Sequence, residues 1–266
     1  MKLNIVPARD GAAWVKRGIT TFFKQPLALS GLFFMFMALL SIATLVPFIG
    51  AALALALLPA ATLGLMAATQ EASRGKFPMP IILISAFRAG RQQLRAMAVL
   101  GALYAVGFMV LMGISALIDG GKFAGLYLLG GHMSEELVMQ GDFQMAMWVT
   151  LLLYTPLSLL FWHAPALVHW HGVPPVKSLF FSFLACSRNW RAMTVYVLVW
   201  TGLFMAAVVV VTLVAVLLGN PGFAAVAMFP VALVVMAMFF TSLYFTFQSS
   251  FEASAADDHV ASVDTP

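Results

Sequence analysis

Charge is scarce in this chain. Of its 266 residues, 14 are Lys or Arg and 10 are Asp or Glu, 9% in all, against 62% hydrophobic. A water-soluble domain carries about a quarter charged residues, so a soluble fold of this length would lack the polar side chains to cover its surface. Cysteine is nearly absent: Cys186 stands alone, which excludes an intramolecular disulfide. It reads as a small apolar residue near a membrane interface rather than a reactive thiol. No phosphate-binding loop is present, because Gly120-Gly121 and Gly130-Gly131 have neither the spacing nor the following Lys-Ser/Thr, and both pairs read as turns. No cleavable signal peptide is expected. The first apolar run begins near Leu27 and is about 20 residues long, enough to span a bilayer.

The absence of charge is also local. Six stretches contain no Asp, Glu, Lys or Arg: residues 27–46, 49–69, 97–118, 145–168, 193–218 and 224–247. Each meets the roughly 20 residues that a hydrocarbon core about 30 Å thick requires. The predicted fold class is therefore all-α, a polytopic membrane protein with six transmembrane helices. Pro47-Phe48-Ile49-Gly50 is expected to turn the first pair, with Pro47 and Gly50 making the turn, and Asn220-Pro221-Gly222 the last pair. Buried ionisable residues mark proton relays and ion-coupled transport. Their absence argues against a proton-driven pump and against an intramembrane protease built on two carboxylates.

What charge there is lies between the spans. Lys2, Arg9, Lys16, Arg17 and Lys24 precede the first. Arg74, Lys76, Arg88, Arg91 and Arg95 follow the second, and Lys177, Arg188 and Arg191 follow the fourth. Thirteen of the fourteen basic residues thus fall on one side of a six-helix topology, and only Lys122 on the other. The basic side of a membrane protein is cytoplasmic. The expected location is the bacterial inner membrane, multi-pass, with both termini cytoplasmic. The Lys122 loop also holds Asp119, Glu135, Glu136 and Asp142, which fits an external face.

Two cytoplasmic loops look alike at an offset of 96 residues. Leu94-Arg95-Ala96-Met97 matches Trp190-Arg191-Ala192-Met193, Phe87 matches Phe183, Ala89 matches Ala185, and Pro78 matches Pro174. The amino terminus offers a third copy, in which Ala12, Val15, Ile19, Phe22 and Phe23 share one helical face and Lys16, Arg17, Thr20 and Lys24 the other. That is the pattern of a helix lying in the membrane interface. The chain thus reads as one membrane domain, residues 1–248. It holds three units, about 10–72, 73–169 and 170–248, each an interfacial amphipathic helix followed by a transmembrane hairpin. Residues 249–266, with four acids and no base, read as a disordered acidic tail.

Residues 53–80 (LALALLPAATLGLMAATQEASRGKFPMP) and 87–108 (FRAGRQQLRAMAVLGALYAVGF) resemble a family of uncharacterised bacterial inner-membrane proteins. The similarity runs from about Met1 to Phe247. More distantly, the interfacial-helix-plus-hairpin unit resembles the membrane region of some glycerophosphodiester phosphodiesterases. Those enzymes carry a separate catalytic domain with no counterpart in these residues. The resemblance implies an inner-membrane location and a fold, and it implies no activity.

Candidate sites follow from the few polar residues left. Arg88, Arg91 and Arg95, at spacings of three and four, are expected to stack on one helical face, and Arg188 and Arg191 to sit in the equivalent loop. These five are the expected contacts for anionic lipid, to which each Lys or Arg contributes about 1 kcal/mol. A membrane protein partner or a second copy of the chain is a further expected contact. Nucleic acid is not, because the basic residues alternate with membrane-anchoring apolar ones. Pro59, Pro156 and Pro230 lie inside the second, fourth and sixth spans and are expected to kink them. His163, His169 and His171 are the candidate metal ligands. However, His169 and His171 are two apart, off a common helical face, and no Cys, Asp or Glu is near in sequence to complete a set. They read better as an interfacial anchor, so no metal, cofactor or catalytic residue is expected. His132, Glu135, Glu136 and Asp142 read as a solvated loop. The leading function is non-enzymatic: lipid interaction, envelope organisation or assembly of a membrane complex. The alternative is a passive permease or channel for a small neutral or amphiphilic molecule.

Overall fold

A computed structural model describes residues 2–131 and 133–251. Helices account for 85% of it, with no strand among the described residues. In chain order they are α1 (Arg9–Lys24), α2 (Pro26–Thr44), α3 (Gly50–Ser73), a 3-10 turn (Pro80–Ile84), α4 (Ser85–Arg88), α5 (Arg91–Asp119) and α6 (Lys122–Leu129). Then follow α7 (Glu135–Val138), α8 (Gly141–Phe161), α9 (Ala164–His171), α10 (Pro175–Arg188), α11 (Trp190–Leu217) and α12 (Pro221–Phe251). Six helical segments are long and apolar enough to cross a membrane: Pro26–Thr44, Gly50–Ser73, Arg91–Asp119, Gly141–His171, Trp190–Leu217 and Gly222–Phe251. Each contains one of the charge-free stretches almost whole. A helix is the form such a stretch must take in hydrocarbon, because it satisfies every backbone N–H and C=O internally.

The turns differ in detail from expectation. Between α2 and α3 the left-handed residue is Phe48 (φ 65), not Pro47 or Gly50. The Ile49 N–H closes a three-residue turn on the Pro47 carbonyl at 2.8 Å. Gly50 opens α3, where any Cβ would strike the Thr44 carbonyl. Between α11 and α12 the chain reverses at Gly219 (φ 61), while Pro221 and Gly222 already belong to α12. Proline suits that first turn, where its missing N–H has no partner to lose. The expected tail begins too early: α12 runs through Phe251, and Ser249 and Ser250 are bonded to the amino-terminal segment. Residues 252–266, the rest of that tail, lie outside the described residues.

The chain packs as two units. One comprises residues 2–35, 64–85 and 184–251, so that α1, α11 and α12 form its centre. The other comprises 36–63 and 86–183, with α5 and α8 packed on each other and on α6 and α9. Its core sets Phe123 against Phe143 at 5.7 Å between ring centres, with Met112 and Ala146 around them. These units cut across the boundaries of the three proposed repeats. The elements before the helix pairs also differ: α1 and α10 are 16 and 14 residues long, whereas only the 3-10 turn and the four-residue α4 precede α5. The threefold repeat therefore rests on the sequence comparison alone.

Candidate functional site

Helix α1 is amphipathic, and its buried face overlaps only in part with the one the apolar residues alone indicate. Gly11, Trp14, Val15, Gly18, Thr21 and Phe22 are buried, while Ala12 and Phe23 are exposed. The face is rotated because two glycines, a heptad apart, are the closest points of contact. A Cβ on Gly11 would collide with the carbonyl of Ala192 in α11, and one on Gly18 would lie 2.7 Å from the Cα of Ser242 in α12. Small residues let helices approach to this distance. Trp14 locks the contact: its Nε1–H donates to Ser249 Oγ at 2.9 Å, and its ring meets Tyr196 edge-on. The extended segment before α1 is tied to the same place. Asn4 N–H donates to the Ser250 carbonyl, and the buried Asn189 accepts from Val6 N–H and donates to the Asn4 carbonyl.

Docked this way, α1 turns its basic face toward the ends of α3 and α12. A cavity of about 290 Å³ lies there, lined by Lys16, Arg17, Thr20, Thr21 and Lys24 from α1, Ser73 from α3 and Phe245 from α12. Among the described residues no carboxylate lines it. The Arg17 guanidinium lies 4.3 Å over the Phe245 ring and donates to Gln248 Oε1. A cation over an aromatic face gains about 0.5–2 kcal/mol, so Phe245 and Gln248 help to hold the Arg17 side chain in place. Lys16 and Lys24 are exposed. At the end of α3 the Gly75 N–H donates to the Ala72 carbonyl at 3.1 Å and the Lys76 N–H to the Glu71 carbonyl at 3.0 Å. The lining thus brings together the basic side chains of Lys16, Arg17 and Lys24 and the hydroxyl-bearing Thr20, Thr21 and Ser73.

The arginines singled out from sequence lie elsewhere. Arg88, Arg91 and Arg95 do not share one helical face. Gly90 (φ 109) breaks the helix after α4, so Arg88 ends one element while Arg91 and Arg95 begin the next. Only glycine enters that conformation without strain. All three are exposed, as are Arg188 at the end of α10 and Arg191 in α11, whose guanidinium lies 5.5 Å from the Trp190 ring. Beside the α5 pair, a second cavity of about 230 Å³ is lined by Gln92, Gln93, Ala96, Val168 and the 172–175 turn, with no charge.

The histidines are separated in role. His163 is buried, with its backbone N–H held by Ser182 Oγ at 2.9 Å, His169 is half-buried against Trp170, and His171 is exposed. Among the described residues no three His, Cys, Asp or Glu side chains gather as metal ligands. Pro59, Pro156 and Pro230 each lie inside a helix as expected, but Pro59 is buried while Pro156 and Pro230 are exposed. At the far end of α5, Asp119 is buried and accepts from Gly121 and Phe123 N–H at 2.9 and 2.6 Å, capping α6. Lys122 pairs with Asp142 at 2.8 Å, and Ser134 caps α7 before Glu135 and Glu136; His132 lies outside the described residues.

Six helical segments long and apolar enough to cross a membrane define a polytopic α-helical membrane protein. The chain is 37% identical over 254 residues to a probable inner membrane protein of Burkholderia thailandensis, covering 94% of each. It belongs to that family of inner-membrane proteins. No family model matches the chain. No solved structure matches it. No link to glycerophosphodiester phosphodiesterases emerges from these comparisons.

Proposed function

We propose that this inner-membrane protein is non-catalytic and works by engaging anionic lipid at the cytoplasmic leaflet, in the service of envelope organisation or assembly of a membrane complex. Both termini lie on the cytoplasmic side in this reading. The observation that carries it is the cavity beside α1, lined by Lys16, Arg17 and Lys24 and, among the described residues, by no carboxylate. Two further features support it. The amino-terminal segment, the end of α3, the start of α11 and the end of α12 are joined by hydrogen bonds or share that cavity. Those ends carry most of the basic residues, and an inner leaflet rich in anionic lipid attracts them. The resemblance of the hairpin unit to a membrane region of phosphodiesterases agrees with a lipid-facing module and adds no activity. A partner protein or a second copy of the chain would dock on the same membrane body.

The test is native mass spectrometry of the full-length protein released from detergent. With equal phosphatidylglycerol and phosphatidylethanolamine, adducts of the anionic lipid should persist about tenfold more than those of the zwitterionic one. Equal retention of the two would remove the proposal.

A further inference from the structure

We infer that α10 is a lipid-contact surface in its own right. Its outward face, Val176, Phe180 and Phe183, is seated at the boundary between acyl chains and head groups, at the membrane surface that the fourth crossing segment leaves and the fifth enters. The partner is a lipid surface rather than one lipid molecule. The inference goes beyond the anionic-lipid reading and stands apart from the α1 cavity.

Covalent placement comes first. Helix α10 is not one of the six segments able to cross a membrane. Only residues 172–174 separate it from the segment that ends at His171, and only Asn189 separates it from α11. Two successive crossings put both of its ends at the same membrane surface. Three residues reach at most about 11 Å, so connectors this short hold the helix at that level.

The faces of α10 decide what it meets there. An amphipathic helix of a soluble protein buries its apolar stripe and shows its polar one. Helix α10 does the reverse. Ser178 and Ser182, four apart, are both 0% exposed. The Ser178 hydroxyl donates to the Pro175 carbonyl at 2.6 Å. The Ser182 hydroxyl donates to the Leu159 carbonyl at 2.8 Å and accepts from His163 N–H at 2.9 Å, which fastens α10 to the break between α8 and α9. On the other face Val176, Phe180 and Phe183 follow at spacings of four and three and are 68%, 61% and 40% exposed. Large apolar side chains turned outward on a helix at the membrane surface have acyl chains, not water, as their solvent.

Charge edges this stripe. Lys177 lies about 100° round the helix from Val176 and is exposed. The turn leading into α10 shares a cavity with Gln92, Gln93 and Ala96, so Lys177 stands at the same end of the unit as the exposed Arg91 and Arg95. Apolar side chains rimmed by cations match the boundary between acyl chains and phosphates. An isologous contact between two copies of the chain through this stripe would instead set like charges against each other.

The experiment uses the full-length Cys186→Ala protein in phosphatidylglycerol–phosphatidylethanolamine vesicles. Spin labels are placed in turn on Val176→Cys, Lys177→Cys, Phe180→Cys and Phe183→Cys. Collision with oxygen, which dissolves in lipid, is compared with collision with a water-soluble nickel chelate. The oxygen-to-nickel ratio should be about tenfold higher at the three apolar positions than at Lys177→Cys. Equal ratios would mean that the face meets water, and they overturn the inference. Low collision with both reagents would mean that protein covers the face, with spin–spin broadening naming a second copy; either overturns it too. A second measurement needs no variant to fold. A lipid-partitioned diazirine, photolysed with wild-type protein, should leave carbene adducts on Val176, Phe180 or Phe183 and spare Ser178 and Ser182. Adducts on the six crossing segments with none on α10 would overturn the inference. Neither readout depends on lipid selectivity, so failure here leaves the α1 reading to its own test.

Discussion

Ser242 carries three hydrogen bonds on one oxygen. Its hydroxyl donates to the Phe239 carbonyl at 2.6 Å and accepts from Tyr196 Oη at 2.6 Å and Trp200 Nε1 at 3.2 Å. All three side chains are buried. Replacing Ser242 by Ala strands two buried donors, and an unsatisfied buried donor costs about 1–3 kcal/mol. Polar contacts within membranes average less, about 0.6 kcal/mol, because the unfolded chain also finds partners. Ser242→Ala should therefore lower the thermal midpoint in detergent by more than Tyr196→Phe, which removes a donor together with its need. A smaller loss for Ser242→Ala than for Tyr196→Phe would show that the network is not the stabilising element. None of this was legible in the sequence. A serine in an apolar helix announces a hydrogen bond, yet not one to a tyrosine 46 positions away. Asn189 is the same case: between Arg188 and Trp190 it reads as part of a basic loop, and its bonds to Asn4 and Val6 reach 185 and 183 residues back.

The six spans were legible as elements because one property decides them: twenty residues without charge in a chain otherwise poor in charge. The face that a short amphipathic helix buries was less so. A helical wheel weighs Val15, Ile19 and Phe22 and gives glycine no weight, yet Gly11 and Gly18 set how α1 meets α11 and α12. Gly11→Ala and Gly18→Ala should each cost about 1–3 kcal/mol, the usual penalty of overpacking. Gly31 in α2 has open space where its Cβ would stand. There the same change should be neutral or stabilise by about 0.5–1 kcal/mol, since alanine restricts the unfolded chain. Thermal midpoints of the three variants, measured side by side, check the contrast. Equal effects at Gly18 and Gly31 would remove the glycine contact as the reason for the docking. Gly90 taught the opposite lesson. Arginines spaced three and four apart imply one face only if the helix is continuous, and a glycine at φ 109 interrupts it.

At the scale of the molecule, the proposed orientation becomes measurable through the chain's one cysteine. Cys186 is buried in α10, and burial pushes its thiol up to about 12. The thiolate is the reactive form, and the neutral thiol dominates until the pH approaches that value. From pH 7 to 9 the thiolate fraction thus rises tenfold per unit yet stays below about 1%, so maleimide labelling of native protein should remain negligible and should appear only on denaturation. Rapid labelling at pH 7 would contradict the burial. A silent native cysteine is a clean background for introduced ones. The proposed topology puts Glu136 outside and Arg91 inside, both on exposed positions. In intact cells a membrane-impermeant maleimide should therefore modify Glu136→Cys and spare Arg91→Cys. Once the inner membrane is opened, both should react. The reverse order would invert the orientation and move the α1 cavity to the external leaflet. The anionic-lipid reading, which depends on the charge of the inner leaflet, would fall with it.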